Sequence, residues 1–305
     1  MPDLAGPARR SQDSSAKYGT LVCVGDLVED VVVWAPGPRR AATDNAATIF
    51  RTRGGSAANV AAIAASVVPT RFVGCVGQDR TGDALIAELA GCGVELSVQR
   101  RGRSGCVVVV VDGDGERTMY PDRAACTQLG DVDPRVLSDA AVVHVPSYCF
   151  AADPTAGSVL TLLERRPDAT LLSVDASSTA LVEELGVREF RSLLGHLNPT
   201  LLFANSDEFE LLGLHQLALP ATVVVAKRGA LPARAFRDGQ LLAEVAAPAV
   251  AEVRDATGAG DAFAAGFLSA SLRVGAGMAV ADLVGGLRAG HAAAARVLAT
   301  PGAAT

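Results

Sequence analysis

Residues 255–267 read DATGAGDAFAAGF, a stretch in which two glycines precede an acid and a run of small apolar residues. Gly258 and Gly260 permit backbone conformations that other residues avoid, and the apolar run after Asp261 predicts a packed helix. Asp261 then lies on the first helical turn, where unpaired backbone N–H groups and the helix dipole attract an anion. The stretch therefore predicts an anion site with a carboxylate beside it.

Two common signatures of nucleotide binding are absent from the chain. The sequence has no G-x-x-x-x-G-K-[ST], and no G-x-G-x-x-G follows the first apolar run. If the anion is a nucleotide, a different binding motif must hold it.

Three further segments join this stretch in resembling one known family. DATGAGDAFAAGF resembles the C-terminal signature of the PfkB (ribokinase) family of carbohydrate and nucleoside kinases, and RGGSAANVA at 53–61 resembles its N-terminal signature G-G-x-x-x-N. RFVGCVGQDRTGDAL at 71–85 and NSDEFELLG at 205–213 are similar to two other family segments. The resemblance runs from about residue 18 to residue 302.

The resemblance implies a phosphoryl-transfer site. Asp261 would be the catalytic base that takes a proton from a substrate hydroxyl, and the backbone amides of Gly258, Ala259 and Gly260 would form the anion hole for the transferred phosphoryl group. Such a reaction needs positioning, stabilisation of charge on the phosphoryl oxygens and an oriented carboxylate, which agrees with the chemistry of the stretch itself. The alternative is an acid that merely stabilises the helix start.

The same resemblance implies a substrate site made by Asp30, Gly54, Gly55 and Asn59. Asn59 would present an amide to sugar hydroxyls, and Asp30 would accept hydrogen bonds from two hydroxyls. Asp26 and Glu29 are neighbouring acids that could replace Asp30. Val28 stands where several relatives carry a polar residue, so the identity of the sugar stays open. A tight turn for the glycines and an exposed loop acid for Asp30 are the structural alternatives.

The nucleotide side is expected at two other turns, which supply Asn205, Glu208, Lys227 and Gly229. Asn205 and Glu208 have the spacing of a helix capping box, and the resemblance also places them near a Mg²⁺–phosphate water shell, with Glu208 acting through water. Lys227 and Gly229 resemble the ATP-side turn, although a solvated basic turn is the alternative.

The resemblance extends to a monovalent cation site. Asp255 and Thr257 would hold the ion, so the expected cofactors are ATP and Mg²⁺, with K⁺ as an optional activator. His291 is interpreted as a packed or surface residue.

Short apolar runs alternate with helical patterns, which predicts a mainly parallel sheet covered by helices. The fold class is therefore α/β, a ribokinase-like three-layer fold with a small β-sheet lid. Residues 1–18 are expected to form a disordered tail and 19–305 the kinase domain, with the lid from approximately 28–53 and 96–124. The expected lid strands are Val31–Trp34, Ala47–Arg51, Leu96–Arg100, Cys106–Asp112 and Glu116–Tyr120, with a turn at 112–115.

Composition excludes several classes of partner. The net charge of −6 gives no reason to expect nucleic acid or an anionic membrane, and no run of eighteen apolar residues occurs. The six cysteines lack metal-binding spacing and are expected to be free thiols in a reducing cytoplasm.

The predicted function is ATP-dependent phosphorylation of a hydroxyl on a sugar or sugar-like small molecule. A nucleoside kinase of the same fold is the first alternative, and Trp34 and Phe50 are then the candidates for stacking on the base. A sugar-binding regulator without turnover is the second, and the presence of Asp261 argues against it. Homodimerisation through the lid is a further expectation.

Overall fold

The structure is a computed structural model that describes residues 19–35, 37–113, 117–250, 253, 256–273 and 279–299. Several predictions lie outside these residues, namely the tail 1–18, the turn residues Asp114 and Gly115, strand residue Glu116, Asp255 and the segment after residue 299.

Thirteen strands are present in the described residues. They are β1 (Thr20–Val24), β2 (Val28–Trp34), β3 (Thr48–Gly54), β4 (Thr70–Val76), β5 (Glu95–Arg100), β6 (Cys106–Val111), β7 (Arg117–Asp122), β8 (Ala140–Pro146), β9 (Leu171–Asp175), β10 (Leu201–Asn205), β11 (Val223–Lys227), β12 (Ala233–Arg237) and β13 (Gln240–Val245).

Eight α-helices connect or cover these strands in the same part of the chain. They are α1 (Ser56–Ala65), α2 (Arg80–Gly91), α3 (Thr155–Glu164), α4 (Thr179–Leu185), α5 (Val187–Leu197), α6 (Ser206–Leu211), α7 (Ala259–Arg273) and α8 (Val280–Leu298). None of these helices combines the length and the apolar character that crossing a membrane requires.

The large sheet has the strand order β13-β12-β11-β10-β9-β8-β1-β4-β5. Neighbouring strands from β5 to β11 are parallel, and β12 and β13 add antiparallel pairs at one edge. The order reverses between β1 and β8, because the chain builds outward from β1 in one direction and from β8 in the other. In open α/β sheets, ligands bind beyond the carboxyl ends of the strands at such a reversal.

Each face of the large sheet buries its own apolar core because side chains alternate along a strand. In β10, Leu201 and Phe203 belong to the core under α1, α7 and α8, whereas Leu202 and Ala204 belong to the core under α3 and α5. Phe203 meets Phe267 of α7 edge to face, with ring centroids 5.4 Å apart. The α/β prediction with helices on both faces is therefore confirmed.

The small sheet, called the lid below, has the order β3-β2-β6-β7. Strand β2 pairs antiparallel with β3 and parallel with β6, and β6 pairs antiparallel with β7. The prediction that Leu96–Arg100 is a lid strand is wrong, because β5 pairs in parallel with β4 at the edge of the large sheet. Helix α2 makes the crossover that parallel neighbours require.

Four stretches of chain cross between the large sheet and the lid, and they lie against one another. A Cβ at Gly55, which has φ 100°, would overlap the carbonyl of Asp26. A Cβ at Gly105 would lie 2.7 Å from the carbonyl oxygen of Arg123. These contacts join the strands that enter the lid to those that leave it, and the polar residues described next surround this junction.

Candidate active site

A cleft of about 900 Å³ lies between the lid and the carboxyl ends of the parallel strands. Its lining includes most of the residues predicted to form the site, namely Asp30, Gly55, Asn59, Asn205, Glu208, Lys227, Gly229, Thr257, Gly258, Gly260 and Asp261. Residues far apart in the sequence thus meet in one cleft, as the resemblance implied.

Asp261 lies on the first turn of α7 and faces the start of α1. Ser56 Oγ donates to its Oδ1 over 2.7 Å, and Asn59 Nδ2 donates to its Oδ2 over 2.9 Å. The two hydrogen bonds hold the carboxylate plane in one orientation at the cleft wall. Gly258, with φ 74°, makes the tight turn that precedes α7.

The orientation of the Asn59 amide follows from its other partner. Arg53 donates through NH1 to Asn59 Oδ1 over 2.8 Å, and its side chain is only 3% exposed. Because arginine can only donate, the Asn59 oxygen faces Arg53 and the amide NH₂ is left to face Asp261. Arg53 therefore orients the side chain of Asn59, which in turn orients the carboxylate of Asp261, the predicted base.

Burial raises the pKa of Asp261 above its ordinary value. The hydrogen bonds from Ser56 and Asn59 and the charge of Lys227 act in the opposite direction, while the Asp175 carboxylate adds to the increase. A carboxylate with a raised pKa accepts a proton more readily, which suits the task of a general base.

Asp30 projects from β2 into the same cleft and is 9% exposed. Burial first, and the Asp261 carboxylate second, raise the pKa of Asp30 to about 7, against a smaller opposing effect of Arg53. A Cβ at Gly54 would overlap the Asp30 carboxylate, so Gly54 makes room for it from behind. This residue is therefore a substrate candidate whose charge changes near neutral pH.

The other two acids considered beside Asp30 have different surroundings. Glu29 is on the opposite face of β2, where it pairs with Arg51. Asp26 follows β1, is 5% exposed, lines the cleft and forms an ion pair with Arg123. Asp30 is the acid of these three that projects from β2 into the cleft, and the Asp261 carboxylate helps to raise its pKa.

A buried ion pair lies beside the turn that was predicted to bind the phosphoryl group. Lys227 Nζ contacts Asp175 Oδ2 at 2.6 Å, and a Cβ at Gly260 would lie 3.4 Å from the same ammonium. Burial alone would lower the pKa of Lys227, but the carboxylates of Asp175 and Glu208 raise it above its ordinary value. Lys227 therefore keeps its charge next to Gly260.

Asn205 and Glu208 form a complete capping box at the start of α6. Asn205 Oδ1 accepts from the Glu208 backbone N–H over 2.8 Å, and Glu208 Oε2 accepts from the Asn205 backbone N–H over 2.8 Å. Burial and the Asp175 charge raise the pKa of Glu208. The capping role is present, and both residues also line the cleft.

The remaining predicted residues have mixed placements. Thr257 and Gly229 line the cleft, whereas Asp255 lies outside the described residues. Ala259 is the first residue of α7 and is not among the described residues that line the cleft. His291 packs against Phe263 with ring centroids 5.3 Å apart, which supports its interpretation as a packed residue.

The lining residues that sequence reasoning missed include Ser56, Arg123, Tyr148 and Asp175. Ser56 lies inside the RGGSAANVA segment and Asp175 ends an apolar strand, so both had a usable signal. Trp34 and Phe50 are not among the described residues that line the cleft. The lid wall is made instead by Val107, Val109, Met119 and Pro121.

Magnesium fits this site through few direct protein ligands. No group of three or more His, Cys, Asp or Glu side chains in the described residues is placed to hold a metal ion. Mg²⁺ keeps several waters and is commonly bound through one or two carboxylates and substrate phosphates. Glu208 lines the same cleft as Gly258 and Gly260, which suits a contact through water.

The sequence matches one family of known proteins over most of its length. The profile of the pfkB family carbohydrate kinases matches residues 19–305. An ATP-dependent ribose-1-phosphate kinase of Halopiger xanaduensis is 30% identical over 263 residues, which are 78% of this chain and 80% of that protein.

Solved structures share the fold at lower identity. Adenosine kinase of Sinorhizobium meliloti superimposes with a TM-score of 0.81 at 21% identity, over 95% of this chain and 96% of that one. Fructokinase of Xylella fastidiosa with bound ATP gives a TM-score of 0.79 at 22% identity, over 93% of both chains.

The parallel sheet, the lid and the acid at a glycine turn define a small-molecule phosphotransferase of the ribokinase-like fold. The chain belongs to the pfkB family of carbohydrate kinases. It is a sugar or nucleoside kinase, and kinases of this family use ATP, generally with Mg²⁺.

Proposed function

We propose that the protein transfers the γ-phosphoryl group of ATP to a hydroxyl of a sugar or sugar-like small molecule, with Asp261 as the base. The observation that carries this proposal is the placement of the Asp261 carboxylate. It lies at a glycine turn on the first turn of α7 and is held by Ser56 and Asn59 inside the cleft under the lid.

The chemistry assigned to each group follows from its position. The Asp261 carboxylate takes the proton of the acceptor hydroxyl, and the backbone amides of Gly258, Ala259 and Gly260 stabilise the charge on the transferred phosphoryl oxygens. Closure of the lid excludes water, which would otherwise compete with the hydroxyl for the phosphoryl group. A positioned base contributes on the order of 10²–10⁴ in rate.

Substrate and nucleotide occupy opposite ends of the cleft in this proposal. Asp30 and Asn59 bind the acceptor hydroxyls, and Gly54 and Gly55 let the chain approach the acceptor closely. Lys227 and Gly229 contact the phosphates of ATP, and Asn205 and Glu208 meet the water shell of Mg²⁺. Thr257, together with Asp255 from outside the described residues, is proposed to hold a K⁺ ion.

A nucleoside acceptor is the second candidate, and the lid wall favours it. Val107, Val109 and Met119 present an apolar surface toward the cleft, against which a base could pack. Similar proteins include an adenosine kinase and a ribose-1-phosphate kinase, so nucleosides and sugar derivatives are both acceptors to be tested.

The outer face of the lid is proposed to pair with a second copy of the chain in the cytoplasm. Ile49 and Tyr120 are 61% and 60% exposed on the face opposite the cleft. Sedimentation of the protein and of an Ile49→Arg variant tests this, since only the first should run as a dimer. A monomer at micromolar concentration would contradict the proposal.

The deciding experiment measures ADP release with a panel of ribose, fructose, adenosine and pseudouridine. Asp261→Asn should lower kcat by a factor of 10²–10⁴ or more while the thermal unfolding curve stays in place. Asp168→Asn is the matched control and should be fully active. Asp168 is an exposed acid in the loop that precedes β9, whereas the cleft lies at the other, carboxyl end of the strands. Normal turnover by Asp261→Asn refutes the assigned base. A thermal shift with sugar and no ADP release from the wild type would indicate a binder without turnover.

A further inference from the structure

Arg123 is a cation at the acceptor end of the cleft that the proposed reaction does not use. It follows β7, so it lies where the lid returns to the large sheet, and it lines the cleft. Its guanidinium lies over the ring of Tyr148 at 3.9 Å and donates through NH1 to Asp26. Stacking and pairing together fix the plane of the guanidinium.

Arg123 is the more exposed residue of this ion pair. The Arg123 side chain is 21% exposed, whereas the Asp26 side chain is 5% exposed. A guanidinium carries five N–H donors in a fixed fork, and the contact with Asp26 uses NH1. Donors therefore remain for a ligand in the cleft, in the planar arrangement that matches a phosphate or carboxylate.

The two cations that line the cleft in the described part of the chain lie at different ends. Lys227 lies beside Gly260, where the phosphoryl donor is proposed to bind. Arg123 lies beside Tyr148 and the lid, where the acceptor is proposed to bind. Burial and the Asp261 charge raise the pKa of Tyr148 and the Arg123 charge lowers it, so the guanidinium and the predicted base both act on the same phenol.

Resting on the proposed function, we infer that the preferred acceptor carries an anionic group, a phosphate ester or a carboxylate, which Arg123 binds while Asp261 faces the reacting hydroxyl. Arg123 is then a specificity-determining residue, and Asp26 and Tyr148 hold it in place. The anionic group does not react. It orients the acceptor so that one hydroxyl lies at the Asp261 carboxylate.

A purely structural role for Arg123 makes a different prediction. Since Asp26 precedes β2 and Arg123 follows β7, their ion pair also joins two of the stretches that cross between sheet and lid. Loss of such a structural ion pair would reduce turnover of every acceptor equally. Loss of an anion-binding group would affect only charged acceptors, so the ratio between charged and neutral acceptors separates the two roles.

The experiment compares kcat/KM from ADP release for matched acceptors in the wild type, Arg123→Gln and Arg103→Gln. The neutral acceptors are ribose and glucose, and the charged ones are ribose 1-phosphate, ribose 5-phosphate and gluconate. Arg103 is a matched control because it is a cation at the same junction, is 64% exposed and pairs with Asp122. Arg123→Lys, which keeps the charge, is the second variant should Arg123→Gln fail to fold.

We expect the wild type to use at least one charged acceptor at least tenfold better than its neutral counterpart. Arg123→Gln should reduce this ratio to about one, and Arg123→Lys should retain part of the preference. Arg103→Gln should keep the wild-type ratio. Preference for the phosphate esters or for gluconate identifies the anionic group.

Three results overturn the inference, and the last of them also refutes the proposed function. Turnover of neutral acceptors without any preference for charged ones, or an equal loss of both in Arg123→Gln, refutes the role of Arg123 and leaves the kinase proposal intact. Absence of ADP release with every acceptor refutes the proposed function itself, and the inference falls with it.

Discussion

The side-chain amide of Asn59 donates to Oδ2 of Asp261 over 2.9 Å, although 202 positions separate the two residues in the chain. The same amide accepts from Arg53 on its other side. A residue of the first signature thereby determines the orientation and the charge of the acid in the last one, and its replacement should be visible in the pH dependence of turnover.

Asn59→Asp should shift the acid limb of the kcat–pH profile upward by about one pH unit or more. A second carboxylate beside Asp261 raises its pKa further, because like charges disfavour ionisation, and the hydrogen bond that stabilised the charged form is lost. Rates from pH 5 to 9 provide the measurement. Asn45→Asp, in an exposed lid loop, is the control that should leave the profile in place. An unchanged profile in Asn59→Asp would show that Asp261 is not the group being titrated.

Lys227→Met should lower both stability and turnover. The variant leaves the Asp175 carboxylate buried without its partner, which typically costs about 3–5 kcal/mol of unfolding free energy. The double variant Lys227→Met/Asp175→Asn should recover much of that loss in denaturant titrations while kcat stays at least tenfold below the wild type. Full activity of the stable double variant would remove Lys227 from the proposed phosphate site.

Asp30 should make acceptor binding weaken as the pH falls below 7. The charged carboxylate accepts hydrogen bonds from hydroxyls, and with a pKa of about 7 only about a tenth of it is ionised at pH 6. KM for the acceptor should therefore rise at low pH, separately from the change in kcat that Asp261 causes. A KM that is constant from pH 6 to 8 contradicts the substrate role.

Asp30 should also lower the free energy of unfolding as the pH rises. The pKa of Asp30 in the folded protein, about 7, lies above its ordinary value of 3.8, so the folded state binds more protons than the unfolded state between these values. Unfolding free energy then falls as pH rises through this window and stays low above it. Asp30→Asn should have a higher Tm than the wild type at pH 8 and a similar Tm at pH 4. Equal differences at both pH values would argue against a raised pKa.

Gly54→Ala should raise KM for the acceptor with little change in kcat. A methyl group at this position overlaps the Asp30 carboxylate and must displace it from the cleft. Gly91→Ala is a matched control, since a Cβ there meets nothing within 4 Å, and its kinetics should equal those of the wild type. Steady-state kinetics with both variants decide the matter. A normal KM in Gly54→Ala would mean that Asp30 can move without consequence.

Asp79→Ala should loosen the lid more than Asp83→Ala does. Asp79 Oδ1 accepts from Gly82 N and from Ser104 Oγ, and its Oδ2 accepts from Ser104 N over 2.7 Å, so it ties α2 to the chain that enters β6. Hydrogen exchange of the β6 amides should be faster in Asp79→Ala, and KM for the acceptor should rise. Asp83, which pairs with Arg100 at the surface, should show neither effect. Equal exchange in both variants would contradict the tie.

The anion turn and the Asn59 signature could be predicted from sequence because each needs particular residue types at fixed local spacing. Arg123 could not, since its role arises only when β7 brings it to the cleft. The strand at 96–100 was misassigned because a turn without a helix joins it to the lid strands that follow, although helix α2 before it makes the crossover that pairs it with β4. The strand register and the contacts between the stretches that cross from the large sheet to the lid depend on tertiary packing, and the local sequence pattern carries no information about that packing.

The parallel pairing of β2 with β6, in which Val31 faces Val108, has a consequence for the order of assembly. Between these partners the chain builds α1, β4, α2 and β5, so the central pair of the lid closes a long loop that already contains part of the large sheet. Contacts that distant in sequence form slowly and late. During synthesis and refolding, the large-sheet strands and the Asn59 helix therefore form before the lid is complete, and a nascent chain that ends before β6 leaves one edge of the apolar strand β2 unpaired.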